Sequence, residues 1–158
     1  MRFLLVDRIV EVEHGQRAVG IKNVTMSEDF FADHFPEQPI MPGALLAEAL
    51  VQLADWIIRE GSDFQQVGQA IAFEKLKFLR LAQPGDQLRL DVQLVSRDGC
   101  EANARGKVTC DGELIATATF TMEVRPIEPL LAAEESARQY RILLGEGRRQ
   151  HAPGRELW

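Results

Sequence analysis

The sequence predicts an α+β fold in which an antiparallel β-sheet wraps around a single buried α-helix. Three observations carry that reading. Residues 43–58 (GALLAEALVQLADWII) form an apolar segment too long for a strand and full of Ala and Leu, so helix wins over strand. Two β-rich stretches precede it. Four more follow, where the apolar period returns to two and turn residues separate the runs.

In chain order, residues 3–12 (FLLVDRIVEV) and 17–25 (RAVGIKNVT) read as a hairpin about the turn His14-Gly15-Gln16. Ser27-Glu28-Asp29 marks a short helix start, with Phe30 and Phe31 as its apolar anchors. Pro36 and Pro39 make the next stretch irregular. Pro42-Gly43 then opens the long helix, where a proline in the first turn gives up no needed N–H, and Gly61 closes it. Strands are expected at about 69–80, 87–97, 101–110 and 113–124, with turns at Pro84-Gly85-Asp86, Arg97-Asp98-Gly99 and Asp111-Gly112. Pro126 and Pro129 end the last strand. Residues 130–144 read as a helix and the tail from Gly145 as flexible. The division is one domain over 1–125 and a C-terminal helical extension with its tail over 126–158.

Composition excludes several function classes. With 158 residues, 46% hydrophobic and 27% charged, the chain can bury a sizeable core and has an ordinary soluble make-up. No apolar run approaches the roughly 18 residues of a membrane span, so no membrane insertion is expected. The four-residue apolar run before Asp7 is too short for a secretory signal. Cys100 and Cys110 are ten apart with no His at ligand spacing, which argues against a disulfide framework or a metal site and for a reducing cytoplasm. A net charge of -6 argues against nucleic acid as a partner.

Function shows in the long helix. Its strongly polar side chains are Glu48, Gln52 and Asp55, spaced four and then three apart, which puts them on one stripe. A buried helix with such a stripe must offer it a partner, a cavity or water, because an unpaired buried carboxylate is costly. Pairing with sheet backbone, or exposure to solvent, would satisfy it without any function. The preceding segment, His34-Phe35-Pro36-Glu37-Gln38-Pro39-Ile40-Met41-Pro42-Gly43, holds a histidine in a stiff double-proline loop, 14 residues before Glu48. His14, in a turn, and His151, in the tail, read as structural. A histidine, a carboxylate and free N–H groups at a helix start are the parts needed for proton transfer beside a developing oxyanion.

Residues 34–54, HFPEQPIMPGALLAEALVQLA, closely resemble the signature of the FabZ-type 3-hydroxyacyl-(acyl carrier protein) dehydratases of the FabA/FabZ family, which have the hotdog fold. That signature runs roughly H-F-P-x-x-P-I/V-M-P-G-x-L-x-x-E-A-x-x-Q. Phe3-Leu4-Leu5-Val6-Asp7-Arg8 resembles the family's opening strand, and Lys77-Phe78 with Pro84-Gly85-Asp86-Gln87-Leu88 its K-F-x-x-P-V-x-P-G-D-x-L region. The likeness covers about residues 1–125. It implies conversion of a (3R)-hydroxyacyl-carrier protein to the trans-2-enoyl product in fatty acid or related lipid synthesis, with no metal or redox cofactor.

By the same resemblance His34 and Glu48 are the catalytic pair. Gly43 presents the amide that faces the thioester carbonyl, and Gln52 helps place the carboxylate or a water. Relatives of the FabA type have Asp where this chain has Glu48. The resemblance implies sites shared across a homodimer, with a hexamer as a larger assembly to test. Apolar surroundings are expected to keep Glu48 protonated. An acyl tunnel beside the stripe has Ala44, Ala47 and Phe78 as candidate lining, each of which also fits an ordinary core. The partner, acyl carrier protein, is acidic, so docking on this acidic chain needs a local basic patch. Lys75 and Lys77, on one strand face with Arg80 nearby, are candidates, and a plain solvated face is the alternative. Two departures stand out: Asp33 replaces the usual Gly before the histidine, and the chain runs about 30 residues past the usual end. A hotdog thioesterase and a catalytically idle scaffold homologue are the rival readings.

Overall fold

The computed structural model describes residues 4–35, 37–127 and 130–146, except the side chains of 130 and 131. Six strands form one sheet: β1 (Arg8–Glu13), β2 (Arg17–Asn23), β3 (Gln66–Phe78), β4 (Gln87–Asp98), β5 (Glu101–Cys110) and β6 (Glu113–Pro126). Their spatial order is β1-β2-β4-β5-β6-β3, and every neighbouring pair is antiparallel. Helix α1 (Gly43–Glu60) lies against β2 to β6, and α2 (Leu130–Leu143) packs on α1 and β1. This is the predicted architecture.

The alternation of side chains along the central strands explains the wrap. Leu88, Leu90 and Val92 of β4, Ala102, Ala104 and Val108 of β5, and Ala116, Phe120 and Met122 of β6 are buried on the face that meets α1. Small residues on β5 let the helix approach: a Cβ on Gly106 would stand 3.0 Å from Leu50. From α1, Leu46, Ala49, Leu50, Leu53, Ala54, Ile57 and Ile58 fill the space between.

Several boundaries differ from the expectation. The first strand begins at Arg8, not near Phe3. Leu5 and Val6 are buried, but they run beneath the helix, and the Leu5 N–H goes to Gln52 rather than to a strand. Apolar sequence marks burial and not strand pairing. Helix α1 extends to Glu60, and β3 spans 66–78 rather than 69–80. The short helix after Glu28 is a single 3-10 turn, Asp29–Ala32, with Phe31 buried. The Asp111-Gly112 turn has positive φ at both residues (50° and 81°), the conformation that the predicted two-residue hairpin requires. The tail residues 147–158, read as flexible, lie outside the described residues.

Candidate active site

Both ends of His34 are tied by its backbone. Its N–H donates to the Phe30 carbonyl at 3.1 Å, and its carbonyl accepts from the Ile40 N–H at 3.3 Å. The imidazole is half-buried and stacks on Phe35 with ring centroids 4.3 Å apart. Upstream, the buried Lys22 ammonium grips Glu28 at 2.5 Å and anchors the segment that leads to the histidine. Downstream, Met41 bonds the Ala82 carbonyl at 2.8 Å, which delivers the chain to the start of α1. Asp33, the departure from the signature, caps the 3-10 turn through its backbone and is exposed.

Glu48 lies on the side of α1 that the sheet leaves uncovered, and its side chain is exposed. This corrects the expectation that the helix alone would shelter it in apolar surroundings. Three of the stripe's polar groups are held. Gln52 Nε2 donates to Glu48 Oε1 at 3.0 Å, while Gln52 Oε1 accepts the Leu5 N–H at 2.9 Å. The amide therefore fixes the carboxylate to the backbone of the N-terminal segment. Asp55 Oδ1 accepts the Gly68 N–H at 2.8 Å, and its other oxygen takes Arg59 Nε at 2.7 Å. Burial pushes the Asp55 carboxyl above its ordinary range, and Arg59 and the Gly68 N–H hold it part of the way back. Pairing with sheet backbone, the reading without function, thus applies to Asp55 and not to Glu48.

A cavity of about 320 Å³ opens along this stripe, between Glu48, Val51, Gln52 and Asp55 of α1 and Gly68, Gln69 and Ala70 of β3. His34 is not among its walls, and neither are Ala44, Ala47 or Phe78. Ala47 is buried, whereas Ala44 is exposed. The Phe78 ring lies over Gly43, where a Cβ would stand 2.9 Å from it. The glycine was expected to admit a substrate, but within one chain its missing side chain makes room for that ring. Among the described residues neither the Gly43 nor the Ala44 N–H has an acceptor within the chain, as befits the first turn of a helix.

Beside the Glu48 face, Phe73, Leu76 and Phe78 of β3 sit opposite Phe120, Ala118 and Ala116 of β6, so they share the inner face of the sheet. The first turn of α1 meets the Phe78 ring, yet all three are exposed. Lys75 and Lys77 oppose Thr119 and Thr117 on the outer face, as their alternation predicted. There Lys75 lines a surface cavity with Arg17, Asp91, Arg105 and Lys107. Arg17, Arg105 and Lys107 were missed in the sequence, because the register of four strands brings them together. Arg80 is paired with Glu113. Among the described residues no group of three or more His, Cys, Asp or Glu side chains could hold a metal ion, and no helix is long and apolar enough to cross a membrane.

One buried helix gripped by a curved antiparallel sheet, with a polar stripe at its open side, defines a hotdog protein. The chain belongs to the FabA-like family, whose domain model matches residues 1–119. It is 45% identical over 124 residues to the 3-hydroxyacyl-(acyl-carrier-protein) dehydratase FabZ of Exiguobacterium sibiricum, covering 78% of this chain and 89% of that one. The protein of the same name from Caldanaerobacter subterraneus subsp. tengcongensis is 46% identical over 117 residues, covering 73% and 83%. Among solved structures, smu.793 from Streptococcus mutans bound to acetyl CoA superposes with a TM-score of 0.63 at 18% identity, covering 82% of this chain and 96% of that one. The dehydratase heterocomplex ApeI:P from Xenorhabdus doucetiae gives 0.59 at 19%, covering 72% and 92%. At those identities the structural likeness speaks for the fold.

Proposed function

We propose that this protein dehydrates 3-hydroxyacyl thioesters carried on acyl carrier protein to the trans-2-enoyl thioester, in fatty acid or related lipid synthesis in the cytoplasm. The observation that carries the reading is Glu48, held by Gln52 on the uncovered face of α1 in a chain 45% identical to FabZ dehydratases. His34, as neutral imidazole, takes the C2 proton, and the electron pair moves onto the thioester carbonyl. The oxyanion that develops rests against the Gly43 N–H at the positive end of α1. Glu48 then donates a proton to the C3 hydroxyl, which departs as water, and the double bond forms between C2 and C3. Losing one oxyanion donor typically costs about 3 kcal/mol of transition-state stabilisation.

Within one chain His34 is not part of the Glu48 cavity. The reading therefore includes a homodimer in which His34 of one subunit meets Glu48 of the other. The exposed apolar row Phe73, Leu76 and Phe78 beside α1 supports it, since exposed apolar patches of this kind mark contact surfaces. Covering that row also buries Glu48, which supplies the sheltered surroundings that a single chain lacks. Ala44 and Phe78 then border the acyl chain at the subunit contact. Lys75 and Lys77, reinforced by Arg105 and Lys107, offer a cationic face to the acidic carrier protein. A hexamer would be a further assembly of such dimers.

The test is turnover of a 3-hydroxyacyl-carrier protein followed as enoyl formation, for the wild type, His34→Ala and Glu48→Gln. Loss of at least about 1,000-fold in either variant, with folding retained, is expected from removing a general acid or base. Wild-type rates in either variant would remove the assignment. Release of free thiol without enoyl product would assign thioester hydrolysis instead.

A further inference from the structure

Asp55 is a half-buried carboxylate that the chemistry above does not use. Burying a charge is costly, and a well-packed apolar side chain of similar size is often the more stabilising choice. What a carboxylate offers in return is direction. Asp55 Oδ1 takes the Gly68 N–H at 2.8 Å, and Gly68 is itself placed so that β3 runs unusually close to the core: a Cβ there would stand 2.5 Å from Ile58 and 2.8 Å from Met122. Gly68, Gln69 and Ala70 form one wall of the Glu48 cavity, and Glu48, Val51, Gln52 and Asp55 form the other. The Asp55–Gly68 bond thus joins the two walls directly, one turn along the helix from the Gln52 that holds Glu48.

The second half of the link reaches α2. Arg59 Nε donates to Asp55 at 2.7 Å, and its Nη1 donates to Ser136 Oγ at 2.7 Å. The guanidinium also lies over the Trp56 ring at 5.4 Å, and Trp56 packs on Tyr140 of α2 at 5.7 Å. Helix α2 begins beyond residue 119, where the family match ends. The extension for which the sequence offered no role is therefore connected, through two hydrogen-bonded side chains, to the wall of the cavity that Glu48 lines.

We infer that Asp55 is a positioning residue for Glu48, setting the gap between α1 and β3 at the cavity, and that Arg59 and Ser136 make α2 part of that support. The inference rests on the dehydration reading for its kinetic consequence and on geometry alone for its structural one. Two measurements on the full chain keep these apart. The first is amide exchange at Gly68, Gln69 and Ala70: Asp55→Ala speeds it about tenfold or more and leaves the β4–β5 pairing unchanged. Unchanged exchange at Gly68 overturns the inference whatever thioester the protein turns over.

The second is steady-state turnover of a 3-hydroxyacyl-pantetheine thioester. Asp55→Ala lowers kcat by roughly 10- to 100-fold with KM within about threefold, because a misplaced group loses transition-state contacts rather than ground-state binding. Asp55→Asn, which keeps an acceptor for the Gly68 N–H, recovers part of kcat. Ser136→Ala, which cuts only the tie to α2, lowers it by about two- to fivefold. A folded Asp55→Ala with wild-type kcat, or one that raises KM alone, overturns the inference. Should Asp55→Ala fail to fold, wild-type kcat in both Asp55→Asn and Ser136→Ala overturns it equally. A wild type that forms no enoyl product would instead sink the dehydration reading.

Discussion

At one edge of the sheet, β1 is six residues long and dressed with charge: Arg17 bonds Glu13 at 3.1 Å, and Arg89 pairs with Glu11. At the other edge, β3 is thirteen residues long and every residue from Ile71 to Phe78 is exposed. Soluble proteins blunt their edge strands by making them short and charged, because unpaired N–H and C=O groups beside apolar side chains recruit another strand. The β1 edge follows that rule and β3 breaks it, with Ile71 57% and Phe78 47% exposed. The Glu48 cavity and the Gly43 turn both lie on the β3 side. The unprotected edge and the candidate site thus coincide, which is what a site completed by a second subunit requires.

The contrast is broken most directly by adding charge to each edge in turn. Ile71→Lys with Leu76→Lys is expected to give a folded monomer by sedimentation and to cut enoyl formation by about 100-fold or more, since the catalytic groups would no longer be brought together. Val10→Lys with Val12→Lys, at residues 38% exposed on β1, should change neither mass nor rate. A monomeric β3 variant that keeps full activity would show that each chain carries a whole site.

That asymmetry was half legible in the sequence. The period of the apolar residues gave the six strands and the buried helix, because side-chain alternation is a local property. The stripe of Glu48, Gln52 and Asp55 was equally local. What each member of the stripe meets was not. The Asp55 partner is a backbone N–H across the turn after Gly61, and the Gln52 partner is the amide of Leu5, 47 residues away. Phe78 could be read as core or as tunnel lining, but its place over Gly43 depends on the close approach of β3 to the start of α1. Exposure of β3 was hidden for the same reason: an apolar strand looks alike whether its cover comes from the same chain or from another.

The Gly43–Phe78 contact sharpens the comparison at smaller amplitude, because it ties the first turn of α1 to the β3 side alone. Gly43→Ala places a Cβ 2.9 Å from the ring and should cost about 1–3 kcal/mol of stability through overpacking. Phe78→Ala in the same chain removes the clash, so the double variant should be more stable than the sum of the single effects by on the order of 1 kcal/mol in denaturant titrations. Strict additivity would mean that the ring and the helix start do not meet in solution.

The smallest effect belongs to the protected side. His14 Nδ1 lies 2.5 Å from Glu60 Oε1, and Glu60 Oε2 accepts the Gly15 N–H at 2.9 Å, so the β1–β2 turn is pinned to the end of α1. The bond and the charge of Glu60, with Asp63 beyond it, raise the His14 pKa in the folded chain. A group whose folded pKa is raised contributes stability that is fully present below its ordinary value, about 6.5, and is lost as pH rises through the folded value. Melting temperature should therefore fall slightly as pH rises from about 6 to about 8, and less so in 1 M salt, because the imidazole is exposed and its charge is screened. His14→Asn should flatten that slope while leaving the Gly15 N–H bond to Glu60 in place. Parallel curves for the two proteins would mean that the turn is held by the backbone bond alone, and the β1 side would then owe none of its closure to titratable charge at this corner.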